Sequence, residues 1–311
     1  MMRYDIKIKY IIKNYNELIQ NSIGKNKIAR EYILKCLESG LSSIDPKILI
    51  KKNISFKDDI LKIQNTSFNI KGKKVFVIGY GKASGKMAES LENILGNKIH
   101  EGLVIVPHKK NLFFNSNRIK IRTASHPIPD INNVKLSNEI IDITKKASDS
   151  LLICLISGGG SALSILPDSN IEFEDKVLII NQLIKAGATI NEINIVRKHL
   201  SKIKGGRLAM VNPDAQIVSL ILSDVVGDDL SDVSSGPTVP DLSTFNDAIN
   251  LLKKYDLWED GPKKIKSHFE TGNKNTNMET PKFKNQFKHV KNFLMGTNDI
   301  AVTQIEKTLK S

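Results

Sequence analysis

The sequence predicts an α/β protein built on a doubly wound, mostly parallel β-sheet, and three observations lead to this class. Strand-like apolar runs alternate with helical patterns along most of the chain. The run at residues 151–156 is apolar at six consecutive positions, which is typical of a strand buried on both faces of a parallel sheet. It breaks directly into a glycine-rich turn at residues 157–161, and such turns follow strands at the ligand-binding edge of α/β sheets. The predicted fold is therefore an open sheet with helices on both faces.

The N-terminal half is predicted to alternate helices and strands. Apolar residues at helical spacing predict a helix over residues 25–40, and Asp45-Pro46 is a start signal for a second helix that continues to Ile50. The elements that follow are a strand at 74–78, a helix at 83–96, a strand at 102–106 and a weaker strand at 119–123.

The C-terminal half continues this alternation. Its predicted elements are a helix at 132–147, the central strand, helices at 172–185 and 190–202, a buried strand at 216–222, a polar linker at 272–288, a strand at 290–295 and a helix from Asp299. No closing strand follows, so we expect the start of a truncated second α/β domain. The predicted domains are an N-terminal extension (1–24), a Rossmann-like domain (25–287) and a stub of the C-terminal domain (288–311).

The composition predicts a soluble, cytoplasmic protein. Of the 311 residues, 40% are hydrophobic and 25% charged, and no run is long and apolar enough to span a membrane. The only cysteines, Cys36 and Cys154, do not form a disulfide framework or a zinc pattern. The net charge of +13 comes from lysines spread along the chain, and with 6% aromatic residues we predict no nucleic-acid partner.

The glycine-rich turn is the first candidate binding site. Three consecutive glycines leave backbone N–H groups uncovered, and such amides suit phosphate oxygens. A tight turn would need only one glycine for its dihedral angles, so we favour an anion-binding loop. The predicted cofactor-binding residues of this loop are Ser157, Gly158, Gly159, Gly160, Ser161 and Ala162.

A second glycine-containing loop follows the first strand of the predicted sheet. Its spacing over residues 79–85 is G-x-G-x-x-x-G, one residue longer than the common dinucleotide fingerprint, and no acidic residue ends the next strand. Lys82 stands where the next helix begins, and a lysine there can reach a phosphate. The alternative is one solvated lysine among many. We predict Lys82 as catalytic.

Cations concentrate near the end of the predicted helix at 190–202. Asn194, Arg197 and Lys198 share one helix face, and Lys204 precedes the Gly205-Gly206 stop. The helix dipole alone would favour cations at this end, which leaves a structural interpretation open. We predict that Lys198, Lys204 and Gly205 bind the cofactor.

An acidic loop follows the strand at 216–222. Asp224 comes first after the strand and is the best candidate for a metal ligand or a base, with Asp228 as a second metal ligand. Mg²⁺ usually takes one or two carboxylates plus phosphate oxygens. The alternative for such residues is capping of loops and helix starts. His126, between two predicted elements in Ser125-His126-Pro127, could contact a substrate, although a structural turn is the commoner role.

Taken together, these segments resemble the glycerate 2-kinase family, the class II glycerate kinases that are sometimes labelled putative hydroxypyruvate reductases. The resembling stretches are VIGYGKASGKMAESLE, EGLVIVP, ASHPIPD, LISGGGSALSILP, INEINIVRKHLSKIKGGRLA and SDVVGDDLSDVSSGPTVPD, in family order. The resemblance implies ATP- and Mg²⁺-dependent phosphorylation of D-glycerate at its 2-hydroxyl to give 2-phosphoglycerate. It also implies that Lys82 is the catalytic lysine, that residues 157–162 and 204–206 hold phosphates, and that Asp224 lies beside the reacting groups.

Family members continue into a C-terminal domain, named MOFRL, with a Gly-Gly-Arg-Asn-rich stretch. The chain ends near Ser311 before that stretch, so we expect the missing half to come from elsewhere or the activity of this chain alone to be low. A separate C-terminal subunit and a homo-oligomer both stay open as partners. Two alternatives also stay open: an NAD(P)-dependent hydroxypyruvate reductase, suggested by the 79–85 loop and Lys109, and a non-catalytic nucleotide-binding remnant.

Overall fold

The computed structural model describes residues 10–21, 23–108 and 114–311. Its strands form two sheets. A small antiparallel sheet contains β1 (Ile54–Lys57), β2 (Ile60–Ile63) and β3 (Thr66–Asn69), and the main sheet contains β4 (Val75–Tyr80), β5 (Ile99–Pro107), β6 (Ile119–Ala124), β7 (Leu151–Ser157), β8 (Gln216–Leu222) and β9 (Val290–Gly296).

The main sheet has the strand order β6-β5-β4-β7-β8-β9, and every neighbouring pair is parallel. Counted along the chain from β4, this is the order 3-2-1-4-5-6 of a Rossmann-type sheet. The doubly wound, mostly parallel α/β fold predicted from the sequence is thereby confirmed. The order reverses between β4 and β7, which pair in a register that runs from Val75–Leu151 to Tyr80–Ile156.

Helices cover both faces of the main sheet. The helices are α1 (Tyr15–Gln20), α2 (Lys25–Ser43), α3 (Pro46–Asn53), α4 (Ser84–Leu95), α5 (Ile131–Lys146), α6 (Gly160–Leu163), α7 (Phe173–Lys185), α8 (Ile190–His199), α9 (Phe245–Lys254), α10 (Lys263–Lys274) and α11 (Asn298–Leu309). The Asp45 carboxylate accepts hydrogen bonds from the amides of Lys47 and Ile48, so the predicted start of the second helix is confirmed.

Alternate residues of each central strand face the two sides of the sheet. Val77 and Ile153 pack in the core that contains α4, whereas Ile78 and Cys154 pack in the core that contains α5. Burial raises the pKa of the Cys154 thiol to about 12. The unbroken apolar runs of β4 and β7 therefore reflect burial on both faces.

A third core lies apart from the sheet. It joins α7, α8, α9 and α10 through buried residues such as Leu183, Val196 and Phe245. In the chain, α7 and α8 lie between β7 and β8, and α9 and α10 lie between β8 and β9. Lys176 of α7 and Arg197 of α8 line a cavity together with Ser161, which follows the three glycines after β7.

Two segments differ from what the sequence predicts. The antiparallel sheet of β1–β3 was not predicted, because its strands are only four residues long and half exposed. The predicted linker at 272–288 is packed instead of free: Glu279 accepts a hydrogen bond from His199, and Thr280 donates one to Asp241. Its Asn- and Lys-rich composition concealed these few buried contacts.

The last strand and helix extend the main body. β9 pairs with β8, and α11 packs along α2, where a Cβ at Gly40 would overlap Ile305. In this structure the terminal unit therefore belongs to the main sheet, and the domain boundary at residue 288 stays a prediction. None of the helices in the described part of the chain has the length and apolar character that crossing a bilayer requires.

Candidate active site

The loops after β4 and β7 meet where the strand order of the sheet reverses. The backbone N–H of Lys82 donates to the carbonyl of Gly158 at 2.9 Å, and the amide of Ala83 donates to Ser157 Oγ at 3.1 Å. Gly81 has a φ of 134°, and a Cβ there would overlap Ser157. The crevice at such a switch point is the usual ligand site of open α/β sheets.

Ser157 joins these loops through its hydroxyl. The hydroxyl lies 3.1 Å from that of Ser84 in addition to its bond with Ala83, and the side chain is buried. Its role here is therefore to hold the two loops together, and its predicted cofactor contact stays a prediction. The amides of Gly81, Lys82 and Ala83 all have protein acceptors, so these three donors are not available to a dinucleotide.

At each glycine of the 158–160 loop, a different side chain occupies the space that a Cβ would need. A Cβ on Gly158 would overlap the Asp224 carboxylate, and a Cβ on Gly160 would overlap the Ser234 hydroxyl. At Gly159, which has a φ of 83°, a Cβ would lie 2.8 Å from His126 Nε2 and 3.1 Å from Lys82 Cε. The three glycines thus permit the close approach of a carboxylate, of an imidazole with the aliphatic part of Lys82, and of a hydroxyl.

The amides of this loop are the donors that an anion would need. Within the described residues, the N–H groups of Gly159, Gly160 and Ser161 have no hydrogen-bond acceptor. The predicted anion-binding geometry therefore has three backbone donors beside Lys82.

Lys82 and Asp224 face a common cleft of about 180 Å³. The remaining lining comes from the junction of α2 and α3, the loop before α4, the ends of β7, β8 and β9, and the start of α11; it consists of Ile44, Pro46, Ala83, Ser157, Gly158, Leu222, Ser223, Gly296, Thr297 and Asn298. Both charged side chains are exposed at its rim. Burial and the positive charge of Lys82 lower the pKa of the nearby His126, which favours the neutral imidazole.

Only one of the two predicted Mg²⁺ ligands lies at the cleft. Asp224 lines the cleft with an exposed carboxylate, whereas Asp228 does not line it. Asp228 Oδ1 is buried with no hydrogen-bond partner in the structure. The described residues contain no cluster of three or more His, Cys, Asp or Glu that could cage a metal. Mg²⁺ usually takes one or two carboxylates beside phosphate oxygens, so the position of Asp224 is compatible with such a site. The metal roles of Asp224 and Asp228 both stay predictions.

A strained serine loop supports the other side of the glycine loop. Ser234, Ser235 and Gly236 have φ angles of 54°, 61° and 59°, a conformation that is costly for the two serines. Ser235 Oγ lies 2.9 Å from Ser161 Oγ and donates to Asn194 Oδ1 at 3.0 Å. Sequence reasoning missed this role, and the only signal was the proximity of Ser-Ser-Gly-Pro to the acidic loop.

Two predicted cofactor-binding residues are engaged by the protein. Lys198 forms a buried ion pair with Asp241 at 3.1 Å, with side chains 6% and 1% exposed. Burial raises the pKa of Asp241, but Lys198 and the hydrogen bonds outweigh this effect and the pKa lies below its usual value. The Gly205 amide donates to the Ser235 carbonyl at 2.9 Å. The geometry gives no support to a ligand contact by Lys198 or Gly205, and both roles stay predictions.

Other predicted residues line a second cavity of about 220 Å³. Ser161, Ala162 and Lys204 face it together with Lys176 and Arg197. Seven predicted site residues therefore line one or the other of two cavities, which take their lining from neighbouring parts of the same glycine loop. Asp228, Lys198 and Gly205 line neither cavity.

The fold and the switch-point cleft define the class of this molecule. It is a Rossmann-like α/β protein whose glycine loop, lysine and carboxylate converge on one edge of the sheet. A family model described as a domain of unknown function, DUF4147, matches residues 32–270, and the chain belongs to that family.

Similar proteins agree with the resemblance predicted from the motifs. The chain is 40% identical over 281 residues to a glycerate 2-kinase of Pyrococcus horikoshii, a match that covers 89% of this chain and 62% of that protein. It is 34% identical over 282 residues to a putative hydroxypyruvate reductase of Agrobacterium vitis, covering 90% and 58%. A crystal structure of a Pyrococcus horikoshii protein superposes with a TM-score of 0.80 at 38% identity, covering 91% and 63%. The chain thus spans about three fifths of the length of these proteins.

Proposed function

We propose that this chain forms the phosphoryl-transfer part of a glycerate 2-kinase, which moves the terminal phosphate of ATP to the 2-hydroxyl of D-glycerate. The observation that carries this proposal is the approach of Lys82 and Asp224 to adjacent glycines of one loop. The name of the Pyrococcus horikoshii relative supports the substrate. Phosphoryl transfer depends on positioning and charge neutralisation, which these groups supply.

Each group has a distinct proposed role. Lys82 stabilises negative charge that spreads over the transferring phosphate, and the amides of residues 159–161 orient its oxygens. Asp224 holds Mg²⁺ or accepts the proton of the attacking hydroxyl. A bound Mg²⁺ would supply charge neutralisation between the phosphates. His126, held neutral beside Lys82, can accept a hydrogen bond from the substrate.

The complete reaction is proposed to need the C-terminal domain of the family. That domain is implied by the resemblance to carry an arginine aimed at the transferring phosphate, and comparable arginines contribute about 10³- to 10⁵-fold in other phosphoryl-transfer enzymes. Lys82 and Asp224 both line the cleft and are exposed, so a group from another domain could reach them.

A reductase is the less favoured function. Hydride transfer needs a dinucleotide cradle, but the amides of the 79–85 loop at Gly81, Lys82 and Ala83 already have protein acceptors. Lys109, which suggested this alternative, lies outside the described residues.

An assay that pairs the two activities tests the proposal. The purified chain, with the C-terminal domain of a family member added, is incubated with ATP, Mg²⁺ and D-glycerate, and separately with NADPH and hydroxypyruvate. We expect glycerate-dependent release of ADP and no oxidation of NADPH. NADPH oxidation without ADP release would overturn the proposal.

A further inference from the structure

The second cavity has an unusual charge distribution. Its lining contains three cationic side chains, Lys176, Arg197 and Lys204, and none of the described residues that line it is a carboxylate. Lys176 is 1% exposed and Lys204 is 2% exposed. Burying several cations without anionic partners is costly, so the cavity is electrostatically incomplete.

The protein satisfies only part of the hydrogen-bonding capacity of these cations. The Lys176 ammonium donates to the Leu200 carbonyl at 2.6 Å, and the Lys204 ammonium donates to the Ser164 carbonyl at 2.9 Å. Arg197 donates to Asn194 Oδ1 at 3.2 Å. An ammonium has three N–H donors and a guanidinium has five, so donors of all three remain for a ligand.

The remaining walls of the cavity are largely apolar. They come from the Pro127–Pro129 turn, from the segment after α6 and from α7, and include Pro127, Ile128, Pro129, Ile165, Val177, Ile180 and Ile184. The ammonium groups of Lys176 and Lys204 are buried beside this wall, which strengthens their attraction for an anion because little water reaches them.

We infer that Lys176, Arg197 and Lys204 form a subsite for a multiply charged phosphate group. Three cations match a polyphosphate better than the single charge of a carboxylate. The subsite adjoins the Lys82 cleft along the glycine loop: Gly158 lines the cleft and Ser161 lines the subsite, separated by no more than about 11 Å of extended chain. A polyphosphate chain held here can therefore direct its far end towards Lys82.

The electrostatics of the cavity agree with this assignment. Burial, and secondarily the charge of Arg197, lower the pKa of Lys204 to about 7. Burial also lowers the pKa of Lys176, with Lys204, Arg197 and Arg207 acting in the same direction and the carboxylate of Asp168 opposing them. A bound polyanion stabilises the protonated amines, so binding near neutral pH is coupled to proton uptake.

The identification of the ligand as the polyphosphate of a nucleotide rests on the proposed function, whereas the subsite itself does not. The test is isothermal titration calorimetry of the complete chain with inorganic tripolyphosphate, with ATP and with D-glycerate, without turnover. We compare the wild type with the Lys204→Met and Arg197→Met variants. Lys185→Met, an exposed position at the end of α7, is the matched control.

We expect tripolyphosphate and ATP to bind the wild type competitively, and each variant to weaken both by roughly tenfold or more. The Lys185→Met control should bind as the wild type does. Binding of tripolyphosphate without competition by ATP would assign the subsite to a free polyphosphate instead of a nucleotide, while keeping its chemistry. Failure of tripolyphosphate to bind, unchanged affinity in both variants, or selective loss of D-glycerate binding would overturn the inference.

Two further readouts separate this inference from variant misfolding and from the proposed function. Urea unfolding of each variant checks that the fold is retained. The wild type alone gives a second test. Heats of tripolyphosphate binding, measured in buffers of different ionisation enthalpy, report the number of protons taken up on binding. Proton uptake is expected at pH 7.5, and its absence would contradict the subsite. If the wild type binds tripolyphosphate but does not phosphorylate glycerate, the proposed function is refuted and the subsite is not.

Discussion

The amide of Lys82 donates a hydrogen bond to the carbonyl of Gly158, and this 2.9 Å contact joins the loops of the two strands at the centre of the main sheet. The position of the Lys82 side chain therefore depends on the conformation of the glycine loop. The aliphatic part of Lys82 lies over Gly159, where any Cβ would come within 3.1 Å of its Cε atom. The lysine and the glycine loop form one structural unit.

Replacing Gly159 by alanine should remove activity by displacing Lys82 and His126. Gly187 is a matched control, because its φ of 81° nearly equals the 83° of Gly159 while nothing lies within 4 Å of a Cβ built on it. Both alanine variants should lose about 1–2 kcal/mol of unfolding free energy, from the left-handed backbone alone. Only Gly159→Ala should lower kcat for glycerate phosphorylation, by about tenfold or more. Equal kcat values in the two variants would refute this role of the loop.

Lys82→Ala should lower kcat by about 10²- to 10³-fold, because it removes a cation that the account places at the transferring phosphate. Lys120→Ala, an exposed lysine on β6, is the control and should retain wild-type kcat. Steady-state kinetics with saturating ATP measure both variants. A Lys82→Ala variant with normal kcat would show that the lysine is one of the many solvated surface cations.

Asp224→Asn distinguishes the two proposed roles of this carboxylate. If Asp224 holds Mg²⁺, the variant should need a higher Mg²⁺ concentration for half-maximal activity. If it is the base, kcat should fall by about 10²- to 10⁴-fold with an unchanged Mg²⁺ requirement. Activity titrated with Mg²⁺ decides between them, and a variant unchanged in both respects would exclude Asp224 from the reaction.

The buried ion pair of Lys198 and Asp241 should matter for stability. Lys198→Met leaves Asp241 buried without its cation, which should cost about 3–5 kcal/mol of unfolding free energy. The exposed pair of Lys264 and Glu172 provides the comparison, and Lys264→Met should have a much smaller effect because solvent screens this pair. Urea unfolding measures both variants. If both variants lost equally little unfolding free energy, the ion pair with Asp241 would not stabilise the fold, and Lys198 would be available for its predicted ligand role.

Polyphosphate binding should weaken as pH rises above neutrality. The Lys204 amine, whose pKa lies at about 7 in the unliganded protein, is protonated below that pH and neutral above it. Because only the protonated amine attracts the anion, affinity should fall by up to about tenfold per pH unit between roughly pH 7 and pH 9. Lys204→Arg, which stays charged, should flatten this profile. Calorimetric titrations across pH provide the measurement, and a parallel decline in both proteins would contradict the assignment.

The sheet could be predicted from the sequence because its strands are buried on both faces. The run at residues 151–156 is apolar at every position, as expected for a strand without a solvent-facing side, and it lies within β7. The predicted strand at 216–222 coincides with β8. The weak elements escaped prediction for the opposite reason. β1 to β3 are four residues each, and the segment around Glu279 and Thr280 is polar with only single buried contacts.

The site was predictable only in part. Strand-end positions placed Lys82, Gly158 and Asp224 at one edge of the sheet, and the structure brings them together. The partners of Lys198 and Lys204 depend on how α8 packs against distant segments, which no local pattern records. The sequence places Lys176 in a helix but does not indicate that its side chain is buried, because the same helical pattern accommodates a buried or a solvated lysine.

The central claim is that the cleft of Lys82 and Asp224 transfers phosphate to the 2-hydroxyl of glycerate. Phosphorus NMR of a reaction with ATP, Mg²⁺, D-glycerate and the family's C-terminal domain tests it most directly. The account predicts a 2-phosphoglycerate resonance with the wild-type chain and its loss with Lys82→Ala. A 3-phosphoglycerate product, or equal product from both chains, would contradict it.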